Sequence, residues 1–175
     1  MSVVFPAGYR LVPFSESWTR RDFSSGNLDV DRWLKTQAKQ AVAAQHMGVR
    51  LLVQGKRACG FYALKQIALV VDGLPQDLLR RKENAVASAT LLAWIGVDRN
   101  DLGQGLGTHL LAQALNDALQ VHRLSPGLGV IVDALSEELA AKYRAWGFKN
   151  LPDHPLRLIL PAAALIAMAD EHHKA

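Results

Sequence analysis

Apolar and polar positions along this chain alternate between two periods, and each change of period marks an element. Tyr9-Arg-Leu-Val-Pro13 has the alternation of a strand. Asn27 is placed to cap a helix whose apolar positions Leu34, Ala38, Ala41 and Val42 share one face, with Gly48 expected to end it. Residues 49–53 and 58–67 predict a hairpin turned at Gln54-Gly55-Lys56. Gly73 and Pro75 break the pattern, and 75–84 predicts a polar, basic connection. A buried strand is expected over 91–97. The run Asp98 to Gly107 then leads straight into a helix with an apolar stripe of Leu106, Leu110, Leu111, Ala114, Leu115, Ala118 and Leu119. A strand at 130–133 follows. Ser136 is a good N-cap for a helix over 137–146, with Glu137 and Glu138 suiting its dipole. Gly147 should end that helix, 156–160 predicts a last strand, and Pro161 starts a short C-terminal helix. The order β-α-β-β-β-α-β-α-β-α predicts an α/β fold, a mixed sheet wrapped by helices.

Length and composition narrow this to a single domain over 1–175, long enough for a core that needs no staples. Half of the chain is hydrophobic and 21% is charged, as in globular proteins rather than disordered ones. Cys59 is the only cysteine, so no internal disulfide forms. No signal-like apolar core occupies the first ten residues. The longest apolar run, 162–169, is far short of the ~20 residues of a membrane span, so a cytoplasmic protein without a membrane partner is expected. The net charge of +4 is compatible with phosphate-bearing partners. Arg20-Arg21 and Arg80-Arg81-Lys82 are basic knots that read, by themselves, as solvated turns.

The informative stretch is Gly103-Gln104-Gly105-Leu106-Gly107, between a strand and a long helix. A glycine turn at a helix N-terminus gathers unpaired N–H groups around one spot, and the helix dipole adds positive charge there. A phosphate or pyrophosphate is the ligand this favours. A P-loop would continue with Lys-Ser/Thr, whereas Thr108-His109 follows here. A dinucleotide fingerprint would have a different glycine spacing and an early position in the chain. An ordinary strand-to-helix turn is the competing reading of the glycines alone.

Read together, Ile95-Gly-Val-Asp98, the glycine turn, Val132-Asp-Ala134 and Tyr143-Arg-Ala-Trp-Gly-Phe148 resemble the GCN5-related N-acetyltransferases. The resemblance covers residues 88–150 and implies a mostly antiparallel central sheet flanked by helices, with acetyl-CoA as cosubstrate. It implies that Leu102, Gly103, Gln104, Gly105, Leu106, Gly107 and Thr108 hold the CoA pyrophosphate, and that Ile95, Gly96 and Val97 pair with the pantetheine arm. That family usually begins its turn with Arg or Gln, where this chain has Leu102. Phe23, Asn27-Leu-Asp-Val-Asp-Arg-Trp-Leu34, Ala38 and Gly60-Phe-Tyr-Ala-Leu64 resemble a narrower branch, the acetyltransferase toxins of bacterial toxin–antitoxin pairs. That branch implies acetylation of the α-amino group of aminoacyl-tRNA, a block of translation, a ribbon-helix-helix antitoxin as partner, and a homodimer.

The resemblance gives Tyr143 the role of protonating the CoA thiolate, while packing of its helix is the alternative. Oxyanion stabilisation is expected from a backbone N–H near Gly96 or Val97. An α-amine, with a pKa near 7.7–8, is largely neutral without a dedicated base, unlike a lysine near 10.4. His46, His109, His122 and His154 lie outside the motifs and read as surface or packing residues. Arg80, Arg81, Lys82, Lys142 and Arg144 are candidate phosphate contacts for a tRNA. Trp33, Trp94, Trp146 and Cys59 read as packing, and no metal is expected. Two alternatives stay open: acetylation of a small amine or protein N-terminus, and a CoA-binding module without turnover.

Overall fold

The structure is a computed structural model that describes residues 3–70, 72–79, 86–152 and 154–171. In chain order the elements are β1 (Tyr9–Pro13), α1 (Leu28–Arg32), a π-helical turn (Trp33–Gln37), α2 (Ala38–Ala43), β2 (Gly48–Gln54) and β3 (Arg57–Val70). Then come β4 (Val86–Val97), α3 (Leu106–Leu124), β5 (Gly129–Asp133), α4 (Glu137–Ala145), β6 (Lys149–Leu151), β7 (His154–Pro161) and α5 (Ala162–Glu171). Hydrogen bonding orders the strands β1-β2-β3-β4-β5-β7-β6. The pairs β1–β2, β2–β3, β5–β7 and β6–β7 are antiparallel, and β4–β5 is parallel over Thr90–Leu92. This is the mixed, mostly antiparallel α/β sheet expected. No helix among the described residues is long and apolar enough to cross a membrane.

The chain forms two compact units, and β3, β4 and α3 contribute residues to both. One comprises Ser2–Lys65 with Ala93–Ala114. In it, the Asn27 side chain accepts hydrogen bonds from Asp29 and Val30 N–H, capping α1 as expected. The helix runs through its π-turn, where the Ala38 N–H reaches Trp33 O, into α2. It does not run on to Gly48. Gln45 adopts φ 56, its N–H reaches Val42 O, and the His46 N–H reaches Ala41 O at 2.9 Å. This left-handed cap satisfies the terminal carbonyls early, and Gly48 becomes the first residue of β2. The core gathers Phe23, Val30, Trp33, Leu34, Phe61 and the inward residues of β2. Trp33 stacks on Phe61 and on Trp94, with centroids 5.8 and 5.3 Å away, so both tryptophans are packing residues, as the periodicity predicts. Cys59 is also buried, and burial pushes its thiol up to about 11.

The other unit comprises Gln66–Leu92 and Leu115–Ala175. Its core holds Leu78, Ala87, Ala89, Leu128, Ile131, Leu151 and Ile159. Asp133 lies opposite Arg157 across the β5–β7 register and takes a bidentate ion pair from it at 2.6 and 2.8 Å. Ser136 caps α4, and Gly147 at φ 90 ends it, with the Phe148 N–H on Tyr143 O. Strand β6 is absent from the sequence reading because three residues are too few to set a period. The stripe of α3 is buried along its whole length, at about 1.5–3 kcal/mol for each large aliphatic side chain.

Candidate active site

Beyond β4, Asp98 caps a 3-10 turn over Arg99–Asp101 by accepting from the Asn100 N–H. The glycine turn follows, with Gly103 at φ +81 and Gly105 at φ +71. These left-handed angles exclude most L side chains without strain. Gly105 precedes the first residue of α3 and has no side chain to cap it. The first intrahelical donor is the His109 N–H, on Gly105 O at 3.1 Å. The N–H groups of Leu106, Gly107 and Thr108 therefore have no intrahelical acceptor, and they point with the positive end of the dipole. A Cβ built at Gly103 meets nothing within 4 Å, and one at Gly107 meets only Val97 at 3.9 Å. The turn is an open cradle of backbone donors, which fits an anionic phosphate group.

Within it the side chains have separate tasks. Leu106 is buried, so only its N–H is available to a ligand. Gln104 is engaged by Tyr9, as described below. Leu102, the departure from the usual Arg or Gln, is 64% exposed and adds no charge. Thr108 is exposed, and His109 holds Gly105 O through Nδ1 at 2.8 Å, which makes it a support of the turn. Ile95, Gly96 and Val97 are half-buried, as is most of β4 from Ala93 onward, where the hydrophobic run had predicted full burial. A Cβ at Gly96 would sit 2.9 Å from Val30 Cγ1, so glycine there permits close packing.

A buried network that the sequence reading missed holds this turn. The Gln104 Nε2 group donates to Tyr9 Oη at 2.9 Å, and the Tyr9 O–H donates to Asp101 Oδ1 at 2.8 Å. Arg57 donates to the same carboxylate twice, from Nη1 to Oδ2 at 2.7 Å and from Nη2 to Oδ1 at 2.9 Å. Burial pushes the Asp101 carboxyl up, but the hydrogen bonds from Arg57 and Tyr9 outweigh it and hold it below the ordinary value. Tyr9 is shifted up, first by burial and then by its bond to Asp101. Asp98 is buried too, accepting from Ser24 N–H at 2.9 Å and from Asn100. Tyr9, Arg57 and Asp101 thus belong to the site as its scaffold. Ninety-two positions separate Tyr9 from Asp101, and no local spacing signals the pair.

Tyr143 lies on α4, in the other unit. Its ring is half-buried, edge-on to Phe148 at 5.4 Å. Burial raises its pKa above the ordinary phenol value, so like any phenol it carries its proton at neutral pH. Lys142 pairs with Glu138 at 2.9 Å. Arg144 pairs with Glu137 at 2.6 Å and also donates to Asn150. Both candidate RNA contacts are therefore already engaged, although exposed pairs of this kind are worth only about 0–1 kcal/mol and open readily. Arg80, Arg81 and Lys82 lie outside the described residues.

The sheet order and the glycine turn are those expected of the GCN5-related N-acetyltransferase fold. No protein-family model matches the chain. It is 33% identical over 142 residues to the tRNA-acetylating toxin of Mycobacterium tuberculosis, covering 79% of this chain and 82% of that protein. It is 28% identical over 159 residues to the probable toxin TacT of Sinorhizobium fredii, covering 83% and 86%. Its fold matches that of AtaT complexed with acetyl-methionyl-tRNAfMet at a TM-score of 0.84, over 92% of this chain and 99% of that one, at 18% identity. The chain belongs to the tRNA-acetylating toxins.

Proposed function

We propose that this protein transfers the acetyl group of acetyl-CoA to the α-amino group of aminoacyl-tRNA and so blocks translation. The open backbone cradle at the head of α3, braced by Asp101, carries this reading. The N–H groups of Leu106, Gly107 and Thr108, with Gly103 and Gly105 shaping the turn, hold the CoA pyrophosphate. Ile95, Gly96 and Val97 offer backbone to the pantetheine arm, and a Gly96 or Val97 N–H stabilises the oxyanion. The neutral α-amine attacks the thioester carbon, forming C–N and a tetrahedral oxyanion, whose collapse breaks C–S. Tyr143 donates its phenolic proton to the departing thiolate, the amine's proton passes to solvent, and solvent returns a proton to the Tyr143 phenolate.

The AtaT complex with acetyl-methionyl-tRNAfMet supports the acceptor, and an AtaTR structure bound with acetyl-CoA supports the donor. AtaT has also been solved with the C-terminus of its antitoxin AtaR, which supports an antitoxin as partner; that this antitoxin is a ribbon-helix-helix protein is part of the proposal. The same reading makes residues 1–175 one catalytic domain, active in the cytoplasm where charged tRNA resides and assembled as a homodimer.

Mass spectrometry of charged tRNA after incubation with labelled acetyl-CoA is the test. The wild-type protein should yield acetyl-aminoacyl-tRNA. Tyr143→Phe should lower turnover by roughly 10²–10⁴, the contribution of a positioned acid, and keep the acetyl-CoA-dependent thermal shift. Full activity in the Phe variant would make Tyr143 a packing residue. Acetylation of polyamines or peptides with charged tRNA untouched would remove the proposed acceptor.

A further inference from the structure

Only Arg21 of the Arg20-Arg21 knot is the solvated turn residue that its sequence suggests. Arg20 is half-buried, and its Nη1 donates to Ser15 O and Trp18 O, each at 3.2 Å. Its guanidinium lies 4.7 Å from the Phe14 ring centroid, and its Nε is buried without a hydrogen-bond partner. Burial weakens its hold on the proton, opposed by Glu16. Two backbone carbonyls and the Phe14 ring hold this cation in place, so an approaching anion gains charge compensation at little cost in side-chain entropy.

Arg20 helps to line a cleft of 450 Å³ with Glu16, Trp18, Thr19, Arg21 and Lys35. Arg21 and Lys35 are exposed, and neither has a carboxylate partner among the described residues. The one carboxylate of the lining, Glu16, is taken by Lys39 at 3.0 Å. Trp18 is half-buried, with a fourth cation, Arg10, 5.5 Å from its ring centroid. Cations flanking an aromatic ring are the composition of grooves that track a nucleic-acid backbone. The cleft is within the size range of small-ligand sites, room for a phosphate and its sugar.

We propose that this cleft docks the sugar–phosphate backbone of the acceptor tRNA. The proposal rests on aminoacyl-tRNA being the acceptor. It follows from the contrast between Arg21 and Lys35, which have no carboxylate partner among the described residues, and Lys142 and Arg144, which already hold acids of their own helix. Such contacts position the RNA and do not read its sequence. CoA also carries phosphates, and an acidic peptide would suit the same cations, so the experiment separates all three.

Arg21→Glu/Lys35→Glu and Arg21→Ala/Lys35→Ala change exposed side chains only, and an unaltered Tm without ligand verifies their fold. Each is assayed with charged tRNA and with 3′-aminoacyl-adenosine, which has no phosphodiester. Charge reversal should raise the KM for charged tRNA by about tenfold or more, and the alanine pair should flatten its log–log salt dependence by roughly 0.7–0.9 per contact. The KM for acetyl-CoA and the rate on aminoacyl-adenosine should be unchanged. Unchanged tRNA kinetics would overturn the proposal, whether or not antitoxin binding falls. A rise in the acetyl-CoA KM alone would assign the cleft to CoA instead. Filter binding of uncharged tRNA tests the cleft apart from turnover. If the wild type binds tRNA, the variants bind it about tenfold more weakly, and nothing is acetylated, the cleft stands and the acceptor reading falls.

Discussion

Asp101→Asn tests whether the bracing network matters to the cradle or only to the fold. The substitution keeps the shape of a residue that is 3% exposed, but it removes the charge that receives two bonds from Arg57 and one from Tyr9. The new amide also presents donors to a guanidinium that has only donors. Breaking a fully buried pair costs about 3–5 kcal/mol. Here the Arg57 side chain is 40% exposed and recovers hydration, which brings the expected loss to about 2 kcal/mol. In a chain of this length that is a fall in Tm of roughly 4–8 °C. The acceptor of Tyr9 becomes a neutral amide oxygen in place of a carboxylate, so the Tyr9 bond weakens, its grip on Gln104 loosens and the turn must be ordered by the ligand. The KM for acetyl-CoA should then rise about 3–10-fold, equivalent to roughly 0.7–1.4 kcal/mol, with kcat much less affected. Tyr9→Phe, which cuts the link to Gln104 and the single Tyr9 bond to Asp101 but leaves the Arg57 pair intact, should move KM the same way with a smaller loss of Tm. A lower Tm with an unchanged acetyl-CoA KM would refute the reasoning and leave the network a purely structural feature. The pH dependence supplies a second check. The folded Asp101 pKa lies below its ordinary value of about 3.9, so its stabilisation is fully present above that value and disappears as pH falls through the folded pKa. The gap between wild type and Asp101→Asn should be constant above about pH 5 and shrink toward strong acid. An equal gap at neutral and acid pH would assign the loss to packing.

Gly105→Val should abolish the acetyl-CoA-dependent thermal shift, because φ +71 is strained for a β-branched residue and its Cβ would face the His109 ring at 3.6 Å; an undiminished shift in a folded variant refutes the cradle. Leu102→Arg should tighten acetyl-CoA binding by about 0.5–1.5 kcal/mol in calorimetry, since position 102 is exposed and extended and the change adds one charged donor. Weaker binding would mean that the side chain at 102 points elsewhere.

The sequence alone determined the elements whose signals are local. The Asn27 and Ser136 caps, the glycine turn and the Gly147 stop rest on contacts within a few residues, and the strand β1 and the stripe of α3 show as local periodicity, so spacing reports them all. The position of Tyr143 relative to Gly147 and Phe148 was legible for the same reason. The tertiary structure decided what depends on distant partners. Gln45, not Gly48, ends the first helix because a left-handed cap forms there, and glutamine carries no signal for it. Residues 93–97 of β4 are half-buried although their apolar run predicts burial, because solvent exposure is set by neighbouring elements and not by hydropathy. Asp101 reads locally as one polar residue before a turn. Only the fold brings Tyr9 and Arg57 to its carboxylate, and a charge that is costly to bury becomes, once paired, the brace of the site. Arg20 makes the same point in reverse: two adjacent arginines look solvated in sequence, and the packing of Phe14 and Trp18 around the first of them leaves a pinned cation.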